Sequence, residues 1–157
     1  MQDEVLASVS ASTMRRMMGL GMVFALGAML VWMGVQYPGG DIGWRVFLLA
    51  LGAVMLWLGE AMRRATLLTL ELTATQLRDS SGTVLAEMDQ VVAVTRGAFA
   101  MKPSHGFSLT MRAAQGRRWL PGLWWRMGRR VGVGGVTPGS ETKYMSDIIS
   151  AMLAERG

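Results

Sequence analysis

Between Arg112 and Arg130 the chain holds six arginines and no acid, with Trp119, Trp124 and Trp125 set among them. Arginine beside tryptophan suits an anionic bilayer surface, where the indole sits at headgroup depth and the guanidinium pairs with phosphate. The same two residue types anchor protein interfaces. A third reading puts the tryptophans in the core of a small sheet and leaves the arginines solvated. The sequence leaves all three open. Arg117, Arg118, Trp119, Trp124, Trp125, Arg126, Arg129 and Arg130 are the candidate contact residues for a partner or a lipid surface.

The other reactive residues form no constellation. Cysteine is absent, which excludes disulfides, thiolate metal sites and cysteine nucleophiles, and a single histidine cannot build a multi-histidine metal centre. That histidine, His105, lies in KPSHGF among turn formers and has no close carboxylate in sequence, so it makes a weak general base. Ser80, Ser104 and Ser140 occupy turn or cap positions that account for them without a nucleophilic role. Glu87 and Asp89 share one face of a strand but have no third ligand nearby. Gly134 and Gly139 have the separation of a phosphate loop, but Ser140 stands where its lysine is required. Gly132 to Thr137 lacks the third glycine of a dinucleotide fingerprint. The expectation is a non-catalytic protein without metal or cofactor. A net charge of +5 allows nucleic acid in principle, yet neither a recognition helix nor an RNA-binding signature is present, and none is expected to bind.

The elements that carry these residues divide the chain in two. Of 157 residues, 51% are hydrophobic and only 17% charged, against roughly 25% charged in a typical soluble domain. Met17 to Val35 is a run without a charge, long enough for a bilayer and without the polar face of a soluble helix. A second run, Val46 to Gly59, extends through Trp44 and Arg45 at one end and Glu60 at the other. Tyr37-Pro38-Gly39-Gly40 between them suits a tight turn. Residues 17–62 therefore read as a two-helix transmembrane hairpin, with spans near 17–35 and 44–62. Arg15 and Arg16 before it, and Arg63 and Arg64 after it, predict that both termini lie in the cytoplasm. Glu60 is expected to pair with Arg63 or Arg64 rather than relay protons.

Small residues mark two strips on the first helix, Gly19, Gly27 and Gly34, and Gly21, Ala25 and Ala28. Such strips let helix backbones approach closely, either within the hairpin or against another membrane protein.

Residues 1–16 read as a cytoplasmic segment and 65–157 as a cytoplasmic domain. There the period changes to two: LLTLELT, TQLRDSSGTVLAEM, QVVAVTR, GFSLTMR and RRWL predict four to six short antiparallel strands. Thr137 is expected to cap a C-terminal helix, with Pro138 at its first position. On that helix Tyr144, Met145, Ile148, Ile149, Met152 and Leu153 share an apolar face. The fold class expected is a membrane α-helical hairpin plus an α+β domain.

A hairpin followed by a domain opening with LELTATQLRDSSGTVLAEMDQVVAV resembles the bacterial pleckstrin-homology-like membrane proteins. The residues that carry the resemblance are Leu72, Thr73, Leu77, Gly82, Val91 and Val94, within residues 67–112. The resemblance implies a small bent antiparallel sheet with a C-terminal helix and no common catalytic activity, and the Gly-, Arg- and Trp-rich stretch 116–136 departs from it. Together these features predict a bacterial inner-membrane protein that serves as an accessory subunit or assembly factor of a larger membrane complex. The alternative is a surface module for anionic lipids.

Overall fold

The computed structural model describes residues 4–96 and 105–157. Two helices, α1 (Thr13–Gln36) and α2 (Ile42–Ala65), form an antiparallel hairpin, and each is long and apolar enough to cross a membrane. Both outrun the expected spans, because the flanking Arg15, Arg16, Arg63 and Arg64 continue the helices instead of ending them. Asp41 starts α2 by accepting the Gly43 N–H at 3.1 Å, the usual side-chain capture of an orphan helical donor. The helices meet along glycine. A Cβ at Gly27 would lie 2.9 Å from Leu56 Cδ2, and one at Gly52 would lie 2.7 Å from Val31 Cγ2 and 3.1 Å from the Gly27 carbonyl oxygen. Backbones this close gain the van der Waals contact that apolar side chains alone do not supply between membrane helices.

The hairpin is inserted between two neighbouring strands. β1 (Ala7–Ser10) pairs antiparallel with β2 (Thr69–Leu72), Ala7 opposite Leu72 and Ser10 opposite Thr69. The segment before α1 thus belongs to the sheet, and the unit that begins at residue 65 is incomplete without it. Val9 is fully buried beside Leu70 and Leu72. β3 (Gln76–Asp79) and β4 (Val84–Glu87) complete a sheet in the order β1-β2-β3-β4. Short polar side chains close its turns: Thr73 Oγ1 accepts the Gln76 N–H, and Asp79 Oδ1 accepts the N–H groups of Ser81 and Thr83.

A single 3-10 turn at Met88–Gln90 leads into the second sheet, β5 (Val91–Thr95), β6 (Phe107–Leu120) and β7 (Trp124–Val133), in the order β5-β6-β7. The last helix, α3 (Gly139–Glu155), packs against β1 and β5, one strand from each sheet. It buries Met145 and Ile149 in a common core with Leu70, Leu77, Leu85, Phe107, Leu109 and Val131. Two small antiparallel sheets with a helix between their edges satisfy the rule that each apolar face must find another layer.

The start of α3 differs from expectation. Pro138 holds the cap position, no side chain caps the helix, and the Thr137 hydroxyl is buried without a hydrogen-bond partner among the described residues. The Thr137 carbonyl instead accepts Arg15 Nη1 at 3.0 Å, the Val136 carbonyl accepts the Ser12 N–H at 2.8 Å, and Glu141 accepts the Ser10 N–H at 3.1 Å. These three bonds fasten the beginning of the helical hairpin to the domain.

Candidate functional site

The Arg/Trp segment forms the β6–β7 hairpin, and the hairpin is bent twice. Its register slips between Thr110 and Gln115 and again between Gln115 and Arg118, so β6 carries extra residues opposite β7. Bulges of this kind bend the strand and leave ladder groups unpaired. Gly128 turns β7 at a φ of +60°, a conformation that costs glycine little. The outer half of β7 folds back, and Trp125 lies on Gly132. A Cβ at Gly132 would stand 2.8 Å from Trp125 Cζ2 and closer still to Nε1, so only glycine leaves room for the indole.

The tip folds back as well. Gly122, at a φ of +81°, lets its carbonyl accept the Val136 N–H at 3.0 Å, and the Leu123 carbonyl accepts the Gly134 N–H at 2.9 Å. This brings Gly122 against the end of α2: a Cβ there would lie 3.2 Å from both Met62 Cε and Thr66 Cγ2. Trp119 is three residues away, within about 10 Å along an extended chain.

The eight candidate residues fall into three groups. Trp124 is a correction: at 1% exposure it belongs to the core and offers no surface to a partner or lipid. Arg126 and Arg129 are tied to backbone carbonyls. Arg126 donates from Nε to Gly116 at 2.9 Å, and from Nη1 to Val84 at 2.9 Å and the Gln115 side-chain oxygen at 3.3 Å. Arg129 Nε donates to the Met111 carbonyl at 3.1 Å. Gly116 and Met111 both lie where the β6–β7 ladder slips, so each arginine satisfies an acceptor the bulges release.

Arg117, Arg118, Trp119 and Arg130 are exposed, Trp119 at 58%, and Trp125 is half-buried. Arg117, Arg118 and Arg130 have no hydrogen bond or ion pair among the described residues. Arg117, Arg118, Trp119, Trp125, Arg126 and Met127 enclose an open hollow of about 470 Å³. Met127 had no signal in the sequence, because its place depends on the bend at Gly128.

The two small-residue strips of α1 have different fates. Gly19, Gly27 and Gly34 face α2, where added Cβ atoms would meet Met62, Leu56 and Leu49 at 2.9 Å. Gly21, Ala25 and Ala28 are exposed, and a Cβ at Gly21 would meet nothing within 4 Å. Beside them Met22, Val23, Ala25, Leu26 and Met29 line a second open, apolar hollow of about 520 Å³.

Glu60 accepts Arg63 Nε and Arg64 Nε, both at 2.7 Å, as its spacing predicts. His105 takes a φ of +56°, and its carbonyl accepts the Thr142 hydroxyl at 2.7 Å. Ser104 lies outside the described residues. Among the described residues no three His, Asp or Glu side chains are grouped to hold a metal. Comparison with protein-family models, curated proteins and solved structures finds no match to this chain.

Proposed function

We propose that this chain is a non-catalytic accessory subunit or assembly factor of a larger membrane complex, held in a bacterial inner membrane by a transmembrane hairpin. Its termini lie in the cytoplasm, and it carries a pleckstrin-homology-like domain. Paired arginines at the outer ends of both helices support the orientation. The pairing of β1 with β2 keeps both ends of the hairpin on one side. The pleckstrin-homology-like reading draws on the four-stranded and three-stranded antiparallel sheets with a C-terminal helix between their edges.

The observation that carries the accessory role is the unequal use of the two small-residue strips. One is consumed by α2, and the other, Gly21-Ala25-Ala28, stands open beside an apolar hollow. A strip of small residues in a membrane helix is where a further helix packs most closely. The partner is accordingly a membrane protein that presents a helix to α1.

Mild-detergent purification of the full chain, followed by mass spectrometry, tests this. A stoichiometric membrane complex is expected with the wild type and is lost with Gly21→Leu/Ala25→Leu. The control Val54→Leu alters an exposed residue of the other helix and leaves the complex intact. Recovery of the wild-type chain alone overturns the accessory role.

A further inference from the structure

We infer that the hollow between Arg117, Arg118, Trp119, Trp125, Arg126 and Met127 receives the phosphate headgroup of an anionic lipid, drawn from the leaflet where the hairpin emerges. The inference rests on the membrane hairpin proposed above but not on the partner complex. Position is the first argument. The hairpin tip is packed on Met62 and Thr66 at the end of α2, so the hollow opens beside the point where that helix leaves the apolar layer. An exposed indole at that level, Trp119, suits the interface, where tryptophan prefers its ring beside hydrocarbon and its N–H among headgroups.

The second argument is charge held in readiness. Arg126 is fixed by its bonds to Gly116, Val84 and Gln115, which use Nε and Nη1. A guanidinium has five N–H donors in a planar fork, so both donors of Arg126 Nη2 have no acceptor among the described residues, at a site already ordered. Ordering a donor before the ligand arrives lowers the entropy lost on binding. Arg117 and Arg118 stand at the same hollow, exposed, and no acid occurs between Arg112 and Arg130 to neutralise them. Guanidinium pairs with phosphate through parallel N–H···O bonds.

The third argument is support from the fold. Trp119 and Trp125 are directly opposite across the β6–β7 ladder, and Trp125 is seated on Gly132. Cross-strand aromatic neighbours of this kind stiffen a hairpin. The wall of the hollow is thus built into the sheet.

The test uses the full chain reconstituted into phosphatidylcholine vesicles with a trace of lipid nitroxide-labelled on its headgroup. The label is carried by phosphatidylglycerol in one set and phosphatidylcholine in the other. Quenching of tryptophan fluorescence is read as wild type minus Trp119→Phe. Stronger quenching by the phosphatidylglycerol probe is expected, with the preference reduced about thirtyfold in Arg117→Gln/Arg118→Gln, from the ordinary contribution of two basic side chains beside an anionic leaflet. Neither arginine has a protein partner among the described residues, so the double variant keeps the wild-type thermal transition.

Equal quenching by both probes overturns the site, as does a preference that survives the double variant. Displacement by inorganic phosphate assigns the hollow to a soluble anion and overturns the lipid. A chain that fails to float with vesicles of either kind overturns the hairpin itself, whereas flotation without headgroup preference overturns the hollow alone.

Discussion

Replacing Gly132 by alanine tests whether the Arg/Trp hairpin is bent at Gly128. The backbone at Gly132 is not in the left-handed region, so alanine meets no conformational penalty there. In an ordinary strand the change would be neutral or gain up to about 1 kcal/mol, because glycine loses more chain entropy on folding. The obstacle is the Trp125 ring. The new Cβ would stand 2.8 Å from Cζ2 and nearer still to Cε2 and Nε1, so the indole must retreat by more than about 1 Å to reach ordinary non-bonded separations of roughly 3.5–4.0 Å. Forcing a methyl group into an occupied site costs about 1–3 kcal/mol. For a chain of this size each kcal/mol lowers the melting temperature by about 2–4 °C, which gives a loss of about 2–12 °C.

A double-mutant cycle separates the ring from every other cause. Gly132→Ala is compared in the wild type and in Trp125→Ala, by thermal unfolding in detergent followed by near-ultraviolet circular dichroism. The cost appears in the wild type and vanishes, or changes sign, once the indole is gone. An equal loss in both backgrounds would refute the seating of Trp125 on Gly132 and, with it, the fold-back of β7 at Gly128.

Three further outcomes follow from the same contacts. Arg126→Ala removes three hydrogen bonds that join β7 to β4 and β6; it should destabilise the chain by about 1–3 kcal/mol in denaturant unfolding, with Arg130→Ala, which has no such bonds, close to wild type. Val9→Asp places a charge at a fully buried position of β1 and should abolish the cooperative transition, whereas Ser8→Asp, on the exposed face, should keep it. Gly52→Val must displace Val31, whose backbone nitrogen lies 3.0 Å from the added Cβ. It should therefore open the helical hairpin, read as increased proteolysis at the 37–41 turn; unchanged digestion would count against the glycine contact between α1 and α2.

Much of the architecture is visible in local periodicity. Uncharged runs mark α1 and α2, alternation marks β2 to β5 and, as two separate strands, the two ends of the single long β6, and the spacing of Met145, Ile149 and Met152 marks α3. β1 escaped because its partner, β2, lies beyond the whole helical hairpin. Strand identity there is a property of the pair and not of the segment.

The Arg/Trp stretch shows the same limit at the level of side chains. Neighbours on a strand point to opposite faces, so alternation predicts that one of Trp124 and Trp125 turns inward, but the choice of face depends on register. Two slips in β6 and the bend at Gly128 set that register. They send Trp124 to the core, lay Trp125 on Gly132 and leave Trp119 outside. The bulges also separate arginines that look equivalent in sequence. Each slip releases a carbonyl that needs a donor; Arg126 and Arg129 reach Gly116 and Met111, while Arg117 and Arg118 have no such acceptor within the described residues. A guanidinium that holds its own strand together is a poor candidate for charge reversal, because its loss would unfold the surface it was meant to probe. Arg117, Arg118 and Arg130 are therefore the positions at which a change of charge reports on binding rather than on folding.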